Sequence, residues 1–342
     1  MDTQVISTND ATLFETAVAR AVELLRAGQL VALPTETVYG LAANAWDADA
    51  VRRIFEAKGR PSHNPIIVHV ASLELARRCV SDWPPQAGRL AEAFWPGPLT
   101  LVLPRSPQIP DVVTANGPTV GVRWPDHPFI QAVIRECGFP LAAPSANRSN
   151  QISPTNAEHV RKDLGGRIPL IVDGGPSKVG IESSVLDLAS SPPRLLRPGM
   201  IHMESLLAVM GGKILHGSGP ESSAGAGAFL RSPGLLPKHY SPKARLVLLQ
   251  WRDEIDLAAR LSTCPIQRNK IHVIAHRVIP LSRNFGRVAV IPHDAEAFAH
   301  AIYAEMHRCD EDGAELIIVE APPLGEEWRA IADRLSRASG GP

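Results

Sequence analysis

The chain has 342 residues, of which 44% are hydrophobic and 20% charged, a composition that excludes a disordered or membrane-spanning protein and favours two compact domains. Lys and Arg together number 35, as do Asp and Glu, so no global positive field indicates nucleic acid as a partner. The N-terminus lacks the pattern of a signal peptide, and no apolar run reaches the roughly 18 residues that span a bilayer, so we expect a cytoplasmic location.

Apolar periodicity predicts alternating helices and strands in the N-terminal part of the chain. Residues 12–27 carry apolar side chains at helical spacing, and Gly28 then separates them from the short apolar run 30–33, which predicts a helix followed by a strand. Segments 49–58 and 155–164 also show helical patterns. Further strand-like runs lie at 66–70, 99–103, 120–122, 141–143, 170–172 and 185–188. Together these elements predict an α/β fold with a twisted mixed sheet and flanking helices.

The composition changes around residues 211–240, where Gly, Ser, Ala and Pro dominate and the periodicity disappears. We interpret residues 213–243 as a linker between a first domain at 1–212 and a second at 244–342. Strand-like runs in the second domain lie at 244–250, 271–275, 287–291 and 316–320. Helical patterns lie at 254–261, 295–308 and 326–338. This alternation predicts a second, smaller α/β domain.

Several standard catalytic motifs are absent, including H-E-x-x-H, G-x-S-x-G, a dinucleotide-binding G-x-G-x-x-G and a P-loop. Polar clusters instead follow strand-like runs, where the loops of an α/β sheet meet at one edge. They are PTETVYG at 34–40, KGRPSHNP at 58–65, Arg123 in VGVRWP, PSAN at 144–147, IESS at 181–184 and RPG at 197–199.

Four permanent cations lie in these clusters: Lys58, Arg60, Arg123 and Arg197. Arg binds a carboxylate or phosphate through a planar pair of bonds, and Lys acts as a mobile charge, so the set suits a triphosphate together with a carboxylate substrate. If ATP is attacked at its α-phosphate, positioning and charge stabilisation can supply the catalysis without a dedicated nucleophile.

These stretches, in the same order, resemble the YrdC-like family of threonylcarbamoyl-AMP synthases. The resemblance is carried by PTETVYGLAANA, KGRPSHNPIIVHV, FWPGPLTLVL, VGVRWPDHP, APSANRSNQISPT, DGGPSKVGIESSVLDL and LLRPGMI. SPGLLPKHYSP resembles the linker of long-form members, which carry an extra C-terminal domain. The resemblance implies a YrdC-like first domain and a smaller, Rossmann-like α/β C-terminal domain.

The resemblance also implies a reaction. Threonine combines with bicarbonate or carbon dioxide to give a carbamate, which attacks the α-phosphate of ATP and releases pyrophosphate. The product, L-threonylcarbamoyl-AMP, would pass to a tRNA threonylcarbamoyl transferase complex that modifies tRNA next to the anticodon. We expect Mg²⁺ on the phosphates of ATP without a protein metal site, no stable binding of nucleic acid and no membrane contact.

The resemblance assigns roles to individual residues, with Lys58, Arg60 and Arg123 as the catalytic cations. Threonine or its carbamate is expected to contact Thr35, His69, Arg123 and Ser183. ATP is expected to contact Lys58, Arg60, Ser62, Asn64, Ser145, Asn147, Ser153 and Arg197. His239 and Tyr240 would reach the nucleotide from the linker, which then acts as a lid that excludes water.

Each residue taken alone also has a simpler interpretation. Lys58 and Arg60 fit the charged end of a helix, His69 fits a hydrogen-bonded core histidine, and Arg123 and Arg197 fit surface ion pairs. The aromatic residues Phe94, Trp95 and Trp124 are predicted to belong to the core rather than to a base-stacking platform.

Three other functions remain open. An RNA-binding module would use the basic cleft without chemistry, although the neutral charge and few aromatics count against it. A hydrogenase-maturation carbamoyltransferase contains a related domain, but its zinc segments need paired cysteines, whereas Cys79, Cys137, Cys264 and Cys309 lie far apart and indicate reduced thiols. In the third case the C-terminal domain is the active part and the first domain is a scaffold.

Overall fold

A computed structural model describes residues 2–217, 239–281 and 284–340, and these divide into two compact units. The first unit contains 2–149 and 154–217, and the second contains 150–153, 239–281 and 284–340. Residues 150–153 thus belong to the second unit although they lie within the N-terminal half of the sequence. None of the described helices has the length and apolar character needed to cross a bilayer.

The first unit is built on a mixed sheet of eleven strands among its described residues. The strands are β1 (Gln4–Ser7), β2 (Val31–Leu33), β3 (Gly40–Asn44), β4 (Val68–His69), β5 (Leu99–Pro104), β6 (Thr119–Arg123), β7 (Leu141–Ala142), β8 (Leu170–Asp173), β9 (Ser184–Asp187), β10 (Arg194–Arg197) and β11 (Leu215–His216). Their order is β1-β8-β2-β3-β7-β4-β6-β5-β9-β10-β11. The sheet contains both parallel pairs, such as β4 with β6, and antiparallel pairs, such as β5 with β6.

Helices cover both faces of this sheet. They are α1 (Ala11–Arg26), α2 (Ala48–Lys58), α3 (Leu73–Arg78), α4 (Pro85–Phe94), α5 (Asp111–Thr114), α6 (Pro128–Cys137), α7 (Ala157–Leu164) and α8 (Met203–Met210). Val31 and Leu33 join the apolar cluster that contains α1 and α6, whereas Ala32 joins the cluster that contains α2 and α4. Alternate residues of one strand therefore enter two different cores. This is why the strands read as continuous apolar runs rather than as alternating patterns.

The predicted fold class is confirmed, and its elements match where apolar periodicity is strong. The predicted helix at 12–27 is α1, and the runs at 99–103 and 170–172 are β5 and β8. The run at 66–70 forms only the two-residue strand β4. Leu215 and His216, inside the predicted linker, form β11 beside β10, and the linker residues 218–238 lie outside the described residues. Trp95 is buried, and Phe94 and Trp124 pack against the same core, as predicted.

The second unit contains a four-stranded parallel sheet with the order β12-β15-β13-β14. Its strands are β12 (Arg245–Leu249), β13 (Ile271–Ala275), β14 (Arg287–Val290) and β15 (Leu316–Glu320), and its helices are α9 (Glu254–Arg260), α10 (Ala295–Glu311) and α11 (Arg329–Ser339). This is the smaller α/β arrangement that the sequence predicts.

Two histidines and a glutamate meet at the carboxyl ends of these parallel strands. The Glu320 carboxylate accepts hydrogen bonds from the backbone N–H groups of His276 and Arg277, at 2.7 and 2.8 Å. The Nδ1 atoms of His276 and His293 lie 2.7 Å apart, and their ring planes are within 6° of parallel. Trp328 lies against both rings, with centroid distances of 5.4 and 5.3 Å. Because the nitrogens are much closer than face-stacked rings allow, the two imidazoles meet edge to edge.

Candidate active site

Arg123 is a buried cation with three partners on neighbouring loops. It ends β6, where its side chain is almost fully buried. Its Nη1 donates to the Thr37 hydroxyl at 2.9 Å and its Nε to the Gly97 carbonyl at 3.3 Å. Its Nη2 lies 2.7 Å from Glu36 Oε1, an ion pair in which the N–H is not aligned as a hydrogen bond.

The contacts of Arg123 leave donors available for a ligand. A guanidinium group has five N–H donors in a planar fork. Among the described residues, one N–H of Nη1 and those of Nη2 have no aligned acceptor. Donors on both terminal nitrogens are the pair that binds one carboxylate in a bidentate manner.

The loop after β2 supplies the partners of Arg123. The Thr35 hydroxyl donates to the Val38 carbonyl at 2.6 Å and accepts from the backbone N–H of Thr37 at 3.2 Å. This local turn fixes the backbone and presents Thr37 and Glu36 to Arg123. Glu36 Oε1 also accepts from the backbone N–H of Asp126 at 2.9 Å, while its Oε2 is buried without a partner among the described residues.

His69 lies beside Arg123 on the neighbouring strand. β4 and β6 are parallel with His69 and Arg123 in register, so both side chains project from the same face. Nδ1 of His69 is buried and has no hydrogen-bond partner in the described part of the chain. Burial, together with the charge of Arg123, holds the pKa of His69 well below its usual value. The imidazole is therefore neutral at neutral pH.

Lys58 ends α2, and its side chain is only 3% exposed. Gly59 closes the helix in the left-handed conformation, with φ of 61°. The Lys58 ammonium donates to the carbonyl oxygens of Ser145, at 2.5 Å, and of Asn147. Within the described residues, no carboxylate lies at salt-bridge distance from Lys58. Burial and the charge of Arg60 hold its pKa well below the usual value, so a bound anion would stabilise the charged form.

Arg60 and Asn64 form the next part of the site. The Arg60 guanidinium donates to the carbonyl oxygens of Asn64 and Pro65, at 3.1 and 2.7 Å. The Asn64 side chain is 0% exposed, and both its Nδ2 and its Oδ1 lack partners among the described residues. Leaving a buried polar atom without a partner costs about 1–3 kcal/mol, so Asn64 indicates a position that a polar ligand completes.

Arg197 holds Ser183 through two hydrogen bonds. Its Nε donates to the Ser183 carbonyl at 3.0 Å and its Nη2 to the Ser183 hydroxyl at 3.1 Å. That hydroxyl also lies 2.8 Å from the hydroxyl of Thr100 on β5. A Cβ atom at Gly199 would lie 2.3 Å from the Ser184 nitrogen and 2.7 Å from the Ser183 carbonyl carbon, so the turn requires glycine there.

Backbone contacts connect the four cations through neighbouring loops. The Ser145 loop that holds Lys58 pairs with Gly40, which begins β3 directly after the loop whose Thr37 binds Arg123. Arg123 in turn donates to Gly97, and the adjacent Pro98 carbonyl accepts from the Ser184 N–H at 3.0 Å, next to the Ser183 that Arg197 holds. The structure therefore brings together the polar clusters in which the sequence predicted the site.

The four remaining predicted residues lie on the loop after Arg60 and in the second unit, and their roles stay predictions. Ser62 is exposed on the loop after Arg60. Ser153 lies in the second unit, where its carbonyl is 3.2 Å from His307 Nε2. His239 and Tyr240 also belong to the second unit, with ring centroids 4.0 Å apart, and Tyr240 packs against Tyr303.

Sequence reasoning did not single out Glu36, Thr37 or Thr100. Glu36 and Thr37 stand inside a cluster that the sequence did identify, and Thr100 is a buried hydroxyl in an otherwise apolar strand. The signal that could have found Glu36 is an acid directly after a buried strand, within a chain segment rich in turn-forming hydroxyls.

Two family models together match most of the chain. Residues 23–199 match the Sua5, YciO and YrdC model, described as "Telomere recombination", and residues 201–340 match "Threonylcarbamoyl-AMP synthase, C-terminal domain". The first unit and the C-terminal extension thus define the class as α/β proteins of the Sua5, YciO and YrdC type.

Curated relatives and solved structures agree with this class. The threonylcarbamoyl-AMP synthase of Pyrococcus abyssi is 39% identical over 94% of this chain and 93% of the relative. That of Bacillus subtilis is 41% identical over 99% and 96%. The crystal structure of P. abyssi Sua5 complexed with L-threonine matches with a TM-score of 0.88 and 37% identity, covering 99% of this chain and 98% of that one. The chain belongs to the threonylcarbamoyl-AMP synthase family, and the predicted resemblance is confirmed.

Proposed function

We propose that this protein synthesises L-threonylcarbamoyl-AMP from L-threonine, bicarbonate or carbon dioxide, and ATP, with release of pyrophosphate. It would act as a nucleotidyltransferase that supplies the activated intermediate for threonylcarbamoyladenosine in tRNA. The observation that supports this most strongly is the set of four buried cations on connected loops. Among the described residues, Arg123 keeps N–H groups without an aligned acceptor, and the nearby Asn64 side chain has no hydrogen-bond partner. Such a set requires anionic and polar ligands to complete it.

The threonine half of the site would lie at Arg123. Its open N–H groups suit the threonine carboxylate, and Thr35, His69 and Ser183 are the further contacts that we propose. The L-threonine complex of P. abyssi Sua5 supports an amino-acid substrate for this chain.

The ATP half would lie at Lys58, Arg60 and Arg197, with Asn64, Ser145 and Asn147 as polar partners. When the carbamate oxygen attacks the α-phosphorus, negative charge moves onto the leaving pyrophosphate. Lys58 and Arg60 would stabilise this charge, while Arg123 holds the threonine carbamate in position. Contacts of ATP with Ser62, Ser153, His239 and Tyr240 stay predictions.

Mg²⁺ would arrive with the nucleotide. Among the described residues, no cluster of three or more His, Cys, Asp or Glu side chains is arranged to hold a metal ion. The phosphate oxygens of ATP are the hard ligands that Mg²⁺ prefers, so the protein would bind the Mg²⁺–ATP complex through its cations.

We further propose that the product passes to a tRNA threonylcarbamoyl transferase complex in the cytoplasm. A formal net charge of zero gives no support for stable binding of the tRNA by this chain itself. The partners that we propose for this chain are therefore ATP, L-threonine, bicarbonate and the receiving transferase.

The proposed function is tested by incubating the chain with ATP, Mg²⁺ and bicarbonate, with and without L-threonine. Pyrophosphate release is followed, and threonylcarbamoyl-AMP is identified by mass spectrometry. We expect product only with both threonine and bicarbonate, and its loss in Lys58→Ala and in Arg123→Lys, because Lys lacks the bidentate fork. Arg161→Ala, which removes an exposed ion pair with Glu158, is the control that retains activity. Product without threonine, or none from the folded chain, would contradict the proposal.

A further inference from the structure

We infer that His69 is the general base that removes a proton from the α-ammonium group of threonine before the carbamate forms. This inference rests on the proposed function and adds a catalytic residue to it. A protonated amine has no lone pair with which to attack carbon, so a group in the site has to accept that proton.

The position of His69 follows from the register of two strands. His69 and Arg123 face the same side of the sheet on adjacent strands, which lie about 4.8 Å apart. The nitrogen of an α-amino acid is two bonds from its carboxylate carbon. A threonine whose carboxylate is bound by Arg123 therefore has its nitrogen within reach of the next strand, where His69 stands.

The chemical state of His69 suits a base. Its Nδ1 has no partner in the described part of the chain, so a proton on Nδ1 would lack an acceptor and the lone pair remains there. Burial and Arg123 lower the pKa of His69, so the imidazole of the free protein is neutral but only weakly basic. A threonine carboxylate on Arg123 would offset that positive charge and thereby make His69 more basic once the substrate is bound.

The neighbours of His69 offer one competing base. On β7 the residue in register with His69 is Leu141, which does not titrate. On β6 it is Arg123, which forms an ion pair with the Glu36 carboxylate. Glu36 Oε1 forms the ion pair with Arg123 and accepts from the Asp126 N–H, while its Oε2 has no partner among the described residues. Protonating Glu36 would remove the charge that holds Arg123, so the geometry favours His69.

The proton balance of the step is simple. Threonine ammonium and bicarbonate give the carbamate, one water molecule and one proton, and His69 takes that proton. A C–N bond forms, and the C–O bond to the departing hydroxyl of bicarbonate breaks. The carbamate oxygen then forms a bond to the α-phosphorus while the bond to pyrophosphate breaks, a step that needs no proton transfer. His69 returns its proton to solvent after the product leaves.

The test uses the full chain and compares two directions of the reaction. In the forward direction, His69→Asn is expected to lower the rate of product formation roughly 100-fold, the typical contribution of a general base. In the reverse direction, threonylcarbamoyl-AMP and pyrophosphate give ATP without any proton abstraction, so the same variant should stay within about threefold of the wild-type rate. Threonine affinity, measured by calorimetry without bicarbonate, should change much less than the forward rate.

A pH series and a control complete the experiment. The forward defect of His69→Asn should shrink as pH rises, because the threonine amine then loses its proton unaided. Arg161→Ala, which removes an exposed ion pair away from the proposed site, should behave as wild type in both directions. Equal loss in both directions, or an unchanged forward rate, would overturn the assignment of His69. A wild-type chain that makes no product from any substrate combination would overturn the proposed function, and the inference with it.

Discussion

At the scale of single residues, the four buried cations are held by different acceptors. Lys58 and Arg60 donate to backbone carbonyl groups, which are uncharged acceptors. Arg123 instead has a carboxylate partner, Glu36, which is itself buried. The guanidinium is thus positioned by one carboxylate before it meets a second one, that of the proposed substrate. Because Glu36 already orders the Arg123 side chain, substrate binding would lose less conformational entropy there.

The Glu36 pair gives a prediction about stability. Glu36→Gln leaves Arg123 as an uncompensated buried charge, which should lower the free energy of unfolding by about 3 kcal/mol. Threonine would restore a carboxylate to Arg123, so saturating threonine should raise the thermal midpoint of this variant more than that of the wild type. Both quantities follow from urea and thermal melts monitored by circular dichroism.

The control for this prediction is Glu158→Gln, which removes an exposed pair with Arg161 and should change little. Equal stability losses in Glu36→Gln and Glu158→Gln would show that the buried pair does not position Arg123 in the way described.

At the scale of elements, the proposed site depends on turns that join short strands. Gly199 lets the chain pass directly over the backbone of Ser183 and Ser184, which places Arg197 against Ser183. Gly59 is needed for a different reason. The space around its Cβ position is open, but its φ of 61° lies in the left-handed region. One glycine is therefore required by a close approach and the other by backbone conformation.

The two glycines form a matched pair for mutation. Gly199→Ala should push the Ser183 backbone away from Arg197 and lower kcat/KM by at least about tenfold, the effect of losing roughly 1.4 kcal/mol of transition-state stabilisation. Gly59→Ala should cost about 1 kcal/mol of stability through left-handed strain alone and leave kcat/KM closer to the wild type. Steady-state kinetics and urea melts on both variants distinguish the two effects, and equal kinetic losses would contradict the steric explanation for Gly199.

The sequence predicted elements best where one apolar pattern decided the structure. Helix α1 and strand β5 have strong patterns and match their predictions. Strand β3, with the sequence GLAAN, was not predicted, because small residues carry little strand preference and its place is set by pairing with β2 and β7. The Glu36–Arg123 pair could not be read from the sequence either, since the two residues meet only when the loop after β2 and the end of β6 are brought together.

At the scale of the whole molecule, the buried histidines make stability depend on pH. Burial is the first cause of a lowered pKa at His69, His127, His272 and His276. Below about pH 6.5, the usual histidine pKa, the unfolded chain binds protons that the folded chain does not. Stability is therefore greatest above that pH and declines as pH falls. The lowered pKa values of Glu158 and Asp256 act only in a more acidic range.

This pH dependence is measurable with urea. The unfolding midpoint should be lower at pH 5.5 than at pH 7.5, before the carboxylates begin to titrate. His69→Asn removes one of the groups that bind protons only when unfolded, so its midpoint should fall less between the two pH values. A midpoint that rises on acidification would contradict the predicted loss of stability at low pH.

The paired imidazoles at the edge of the second sheet fix where hydrogen atoms reside. Nε2 of His276 faces the Ala321 carbonyl at 3.3 Å, and a carbonyl only accepts, so that nitrogen carries hydrogen. In the uncharged pair His276 Nδ1 must then accept and His293 Nδ1 must donate. Hydrogen on both Nδ1 atoms would place hydrogen against hydrogen across 2.7 Å, so only one of them can carry it. The Ala321 carbonyl oxygen thus fixes the tautomer of His276 and, through it, that of His293.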